Sequence, residues 1–221
     1  MREEVFMFFR PSFGRLRLAG GAVAVAAALA ASAAPAQAAT FTVTNTNDSG
    51  AGSLRQAIVD ANASAGADTI TFGSGVTGAI TLTSGALSVT DDLSINGPGA
   101  ASLTVSGNNN GRVVDIGSGV TASLVGVTIA DGLEAGTGAG IYNAGSLTVE
   151  NTTISNNNIT FGYGGGIFNG GALIVKDSTF SGNSGNGYGA AIAQLGNTAT
   201  VTGTTFVGNS IHLYVLLRRR H

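Results

Sequence analysis

The sequence contains no cysteine and no tryptophan, three prolines among 221 residues, and charged side chains at only 10% of positions. Without cysteine there are no disulfides and no thiolate metal sites, so the fold rests on packing and hydrogen bonding. Both histidines, His212 and His221, stand in the last ten residues, which leaves no imidazole for catalysis in the body of the chain. Positive charge is scarce there too. From Thr40 to Ser210 three basic residues, Arg55, Arg112 and Lys176, face ten acids, a net charge of −7. A body that acidic, with no basic stripe, argues against nucleic acid or an anionic lipid surface as partner.

Glycine is abundant, with 35 residues in a chain that is 43% hydrophobic. No Gly-X-Y period is present, which excludes collagen, and the aliphatic content excludes a disordered linker. Instead one phrase occurs three times between Gly138 and Asn209. Gly-Ala-Gly-Ile-Tyr-Asn (138–143), Ser-Leu-Thr-Val (146–149) and Thr-Thr-Ile-Ser-Asn-Asn (152–157) are followed by Gly-Gly-Gly-Ile-Phe-Asn (164–169), Ala-Leu-Ile-Val (172–175) and Ser-Thr-Phe-Ser-Gly-Asn (178–183). Gly-Ala-Ala-Ile-Ala-Gln (189–194), Thr-Ala-Thr-Val (198–201) and Thr-Thr-Phe-Val-Gly-Asn (204–209) form a weaker third copy. Ile154, Phe180 and Phe206 are 26 residues apart, as are Asn157, Asn183 and Asn209.

A fixed period in the twenties marks a stacked repeat. Within it, short alternating apolar runs bounded by Gly and Asn read as strands, three per coil, with no room for a crossover helix. The expected fold is therefore an all-β, right-handed parallel β-helix, the hand following from the preference of parallel crossovers. Its structural repeat residues are Ile141, Ile154, Asn157, Ile167, Phe180, Asn183, Ile192, Phe206 and Asn209. Counting from Thr69 to Ser210 gives about five coils of ~26 residues, a stack ~25 Å tall at ~4.8 Å per coil.

In chain order, residues 1–38 read as a signal peptide. Arg2, Arg10, Arg15 and Arg17 precede an unbroken small and apolar run from Leu18 to Ala31. Ala36-Gln37-Ala38 then offers an A-x-A cleavage site, with Ala34-Pro35-Ala36 as a second. Cleavage near Ala38 implies a secreted or cell-surface protein with no membrane span left. Residues 39–72 read as a cap and first coil: Phe41 and Val43 alternate with Thr, and Ser53 starts a helix with Gln56 completing a capping box. Leu54, Ala57, Ile58 and Ala61 make its apolar face. Residues 73–210 are the repeats, with irregular coils first and candidate strands at 80–82, 87–89, 93–95, 103–105, 113–116 and 124–129. The tail, 211–221, breaks the pattern. It reads as an edge strand protected by Arg218 to Arg220 or as the point where a longer repeat array has been cut, and it leaves a C-terminal coil open to end-to-end self-association.

The repeat motifs Gly165-Gly166-Ile167, Gly189-Ala190-Ala191-Ile192, Phe180-Ser-Gly-Asn183 and Phe206-Val-Gly-Asn209 resemble those of bacterial polymorphic outer-membrane and autotransporter-type β-helix proteins. The stretch Asp48-Ser-Gly-Ala-Gly-Ser-Leu-Arg-Gln-Ala-Ile58 resembles the Cys-Ser-Leu-Arg-Glu-Ala leader of such exported proteins, with the Cys missing and Gln56 in place of Glu. The resemblance implies a non-catalytic, adhesin-like passenger in contact with glycans or cell-surface components. The alternative is a polysaccharide lyase or glycoside hydrolase of the pectin-lyase-like class. Such enzymes need an acid cluster, for Ca²⁺ or for paired acid and base chemistry.

In the regular coils the period sets Glu150 beside Lys176, most simply as a cross-coil ion pair, with Asp177 next to it. Asp115, Asp131 and Glu134, near Arg112, are weak candidates for a cation site if they share a face. No catalytic residue and no cofactor is expected. Gly162 to Gly166 lacks the Lys and helix of a phosphate loop and reads as a corner. Thr128, Thr153, Thr179 and Thr205 form an outward column that cross-strand stacking explains more simply than ice or glycan binding. The irregular turns, Asp131 to Gly138 and Asn156 to Gly164, are where specificity is expected.

Overall fold

Side chains of a strand point alternately to its two faces, so each short alternating run needs a neighbour on which to bury its apolar side. The computed structural model, which describes residues 37–196 and 198–211, meets that need by coiling the chain so that each strand lies on its counterpart one turn earlier. All paired strands are parallel. The first sheet has seven strands, Thr40–Val43, Asp68–Phe72, Leu93–Asn96, Thr121–Val125, Ser146–Glu150, Ala172–Lys176 and Thr198–Thr202. A six-stranded second sheet runs from Gly78–Thr81 to Thr205–Val207, and a five-stranded third from Leu87–Val89 to Ile192–Gln194. The molecule is a parallel β-helix, consistent with the right hand that parallel crossovers favour.

Three expectations need correction. The stack has about seven turns, not five. Thr40–Val43, which the count from Thr69 left out, pairs in register with Asp68–Phe72 as a full member of the first sheet, and the span from Thr69 to Ser210 itself holds six first-sheet levels rather than five. Nor does every turn have three strands. From Leu133 onward each turn carries a fourth, giving a sheet of Leu133–Thr137, Asn158–Tyr163, Ser184–Tyr188 and Ser210–Ile211. The stretches read as irregular turns thus contain its first two strands. The run 124–129 is also two strands, divided at Gly126, whose φ of 64° turns the chain between sheets.

The core consists of columns. Ile129, Ile154, Phe180 and Phe206 stack in register on the second sheet. The first three are fully buried, whereas Phe206 is 49% exposed because no described strand lies beyond it. Leu147, Leu173 and Val149, Val175 do the same on the first sheet.

At the other end the helix Leu54–Ala63 covers the first turn with Leu54, Ala57, Ile58 and Ala61. Ser53 caps it, its hydroxyl accepting from Gln56 N at 3.1 Å. The reciprocal half of the capping box does not form. Ser53 N already donates to the Gly50 carbonyl, and the Gln56 side chain turns to Asp60 instead. The leader-like segment has a structural task. Asp48 accepts from Arg55 Nη2 at 2.7 Å and from Thr83 N and Oγ1, while Arg55 also reaches the carbonyls of Gly85 and Ala86. Burial alone would raise the Asp48 pKa. The hydrogen bonds from Ser84, Arg55 and Thr83 outweigh it and hold the carboxyl well below the usual range.

Candidate functional site

The repeated polar side chains are engaged in the stack. Asn157 lies fully buried, donating from N and Nδ2 to Asn183 Oδ1 and from Nδ2 to the Ile129 carbonyl. Asn183 repeats the pattern onto Asn209 and Ile154 one turn on. These amides satisfy backbone groups where the chain leaves the second sheet. A second ladder, not singled out in the sequence, joins Asn143 Nδ2 to Asn169 Oδ1 and Asn169 Nδ2 to Gln194 Oε1. Ile141, Ile167 and Ile192 stack beside it. The threonine column is in register, Thr128 to Thr153 to Thr179 to Thr205, and extends to Thr104. On the first sheet Thr40, Thr69, Ser94, Ser123 and Thr148 form another outward hydroxyl column, which Ile174 interrupts before Thr200.

Glu150 and Lys176 occupy paired positions, as the period requires, but they are not ion-paired: the salt bridges among the described residues are Arg55 with Asp48 and Arg112 with Asp115. Lys176 and Asp177 both point to solvent. Asp115 is held by Arg112 Nη1 at 2.7 Å, and the same guanidinium lies 4.9 Å over the Tyr142 ring, which stacks on Phe168. Asp131 accepts from Ser106 Oγ at 3.0 Å. Glu134 Oε1 takes the neighbouring Ala135 N–H on the fourth sheet. Asp115 belongs to the third sheet, Glu134 to the fourth, and Asp131 to the bend before it. Among the described residues no group of three or more His, Asp or Glu side chains converges. His212 and His221 lie outside the described residues.

What the fourth sheet brings together is aromatic. Phe161 and Tyr163 share one face of their strand, and Tyr163 pairs with Tyr188 one turn on, rings stacked 5.7 Å apart at 14°. Phe161 is 78% exposed, Tyr188 73% and Tyr163 39%. With Gly162, Asn186 and Gly187 they line an open hollow of about 190 Å³. Its floor is glycine by necessity, since a Cβ on Gly162 would strike the Gly136 carbonyl and one on Gly187 the Gly162 carbonyl. Asn186 Nδ2 is anchored to the Thr160 carbonyl at 2.9 Å, while its Oδ1, shielded from solvent, accepts no hydrogen bond among the described residues. None of the lining side chains is charged at neutral pH.

The signal for this site was the echo of Phe161-Gly-Tyr163 in Asn186-Gly-Tyr188 one turn later, 25 residues on and outside the three repeated runs. No protein-family model and no curated protein matches the chain. Among the described residues no helix is long and apolar enough to cross a membrane.

Proposed function

We propose that this protein is an exported, non-catalytic β-helix of the adhesin-like kind, which contacts neutral carbohydrate at the outer face of its fourth sheet. The observation that carries this reading is the exposure of Phe161 and Tyr188 around an uncharged hollow. Large aromatic side chains left in water on one face of a rigid scaffold mark an interaction surface. A hollow of about 190 Å³ is below the ~300–1,000 Å³ of enclosed small-molecule pockets, which favours a platform for an extended ligand.

Pyranose rings with equatorial hydroxyls suit that chemistry. Their C–H faces meet the electron-rich aromatic faces, and their rim hydroxyls find partners in the phenolic hydroxyls of the exposed Tyr163 and Tyr188. Export rests on the charged, apolar and A-x-A pattern of residues 1–38, which apart from Gln37 and Ala38 lie outside the described residues.

The sequence has no tryptophan and four tyrosines, two of which, Tyr163 and Tyr188, line the hollow, so tyrosine emission carries a signal from the site. Titration of the protein with cellohexaose is expected to give a saturable change, weakened at least ~10-fold in a Phe161→Ala/Tyr188→Ala variant. Incubation with neutral glucans and with polygalacturonate, with and without Ca²⁺, is expected to yield no reducing ends and no unsaturated products. Product formation would replace this reading with the lyase or hydrolase alternative, and binding unchanged in the double variant would move the contact elsewhere.

A further inference from the structure

Asp68 opens the second strand of the first sheet and is 1% exposed. Its Oδ1 accepts a hydrogen bond from the backbone N–H of Ala39 at 2.7 Å. Its Oδ2 is equally buried and has no hydrogen-bond partner among the described residues. A buried carboxylate oxygen to which no protein group donates carries a desolvation cost, and a donor with more protons than one amide N–H, placed at Ala39 N, would offset it.

Ala39 itself is fixed, its carbonyl accepting from Thr69 N at 2.9 Å. The two residues before it, Gln37 and Ala38, are exposed. The sequence there is Ala36-Gln37-Ala38, small residues flanking the position that a signal-peptidase-class protease reads.

We propose that the Ala38–Ala39 bond is the processing site and that the α-ammonium released on Ala39 forms a buried ion pair with Asp68. The step is a hydrolysis by that class of protease. Water oxygen adds to the Ala38 carbonyl carbon, the C–N bond breaks, Ala38 departs as a carboxylate, and both hydrogens of the water end on Ala39 N. The nitrogen then carries three protons and a positive charge where the amide had one proton and none. One N–H keeps Oδ1, a second serves the orphaned Oδ2 of the same carboxylate, and both bonds become charge-assisted. Processing thereby satisfies an acceptor that the uncleaved chain leaves unmet, and the mature N-terminus is locked into the first turn. Cleavage at the alternative site after Ala36 would leave two residues ahead of Ala39 and carry the ammonium away from Asp68.

Lys176, exposed on the outer surface, is the only lysine in the sequence, so a protein cleaved at this bond has two amines to label. The intact mass of the exported protein is expected to correspond to a chain beginning at Ala39. Acetylation under native conditions is expected to modify Lys176 alone, with the α-amine at least ~10-fold slower because it reacts only through local opening. Both amines are expected to react in denaturant. In exported Asp68→Asn the protection of the α-amine is expected to be lost. A chain beginning at Gln37 or at any other residue overturns the proposal, as does an α-amine labelled as fast as Lys176 in the native protein. Should Asp68→Asn not fold, the mass and the wild-type labelling decide on their own.

Discussion

Asn157 donates both its backbone N–H and its side-chain Nδ2 to one atom, Oδ1 of Asn183, at 3.1 and 3.0 Å. That arrangement makes the asparagine column a continuation of the backbone ladder around a corner, in full burial. Replacing Asn183 with Ala removes the acceptor for Asn157 and the donor to the Ile154 carbonyl, leaving buried polar groups without partners. A loss of about 3 kcal/mol is expected, measured by urea denaturation. A change below ~0.5 kcal/mol, the range of an ordinary surface substitution, would show that the corner does not depend on the column.

Phe180 and Phe206 stack 5.1 Å apart, yet only the first is enclosed on both sides. Phe180→Ala is expected to cost ~3–5 kcal/mol, as for a fully buried ring. Phe206→Ala, already half in water, is expected to cost less than half as much by the same denaturation measurement. Equal losses would contradict the register of the coils.

The period was legible because each late turn repeats the same inward set, Ile154, Phe180 and Phe206, whose burial depends only on the residue one turn away. The turn count was less legible. Thr40–Val43 pairs across an inserted helix, and the offset between turns varies, Thr69 to Ser94 to Ser123 in register. The fourth sheet was hidden for a different reason. Its strands are built from Gly, Asn, Thr and outward aromatics with few aliphatic side chains, so the period-two signal that marks a half-buried strand is nearly absent from Thr160-Phe-Gly-Tyr163. The candidate binding surface lies on that sheet, within a stretch the sequence singled out for specificity but read as a turn.

Asp48 links the segment before the helix to the turn at Thr83. Its folded pKa lies below the unfolded value, so its contribution is complete above the ordinary carboxylate range, ~4, and is lost as pH falls below it. Asp48→Asn is expected to lower stability by about 2 kcal/mol at pH 7, the scale of charge-assisted hydrogen bonds. It should also flatten the decline between pH 5 and pH 2, followed by urea denaturation at each pH. An unchanged decline would assign the acid sensitivity to other carboxylates.

Gly187 has no room for a side chain, whereas a Cβ on Gly111 meets nothing within 4 Å. Gly187→Ala is expected to open the fourth sheet locally, raising amide exchange across Asn158–Tyr163 and Ser184–Tyr188. Gly111→Ala is expected to leave exchange there unchanged. Similar behaviour of the two variants would mean that the glycine floor is not required.

Hydrogen–deuterium exchange of the protein with and without cellohexaose tests most directly the claim that the repeated columns hold the fold while the fourth sheet makes the contact. Added protection is expected at Asn158–Tyr163 and Ser184–Tyr188, with none at Thr153–Ser155 and Thr179–Ser181 on the second sheet. Protection confined to the second sheet, or no protection anywhere at saturating oligosaccharide, would contradict it.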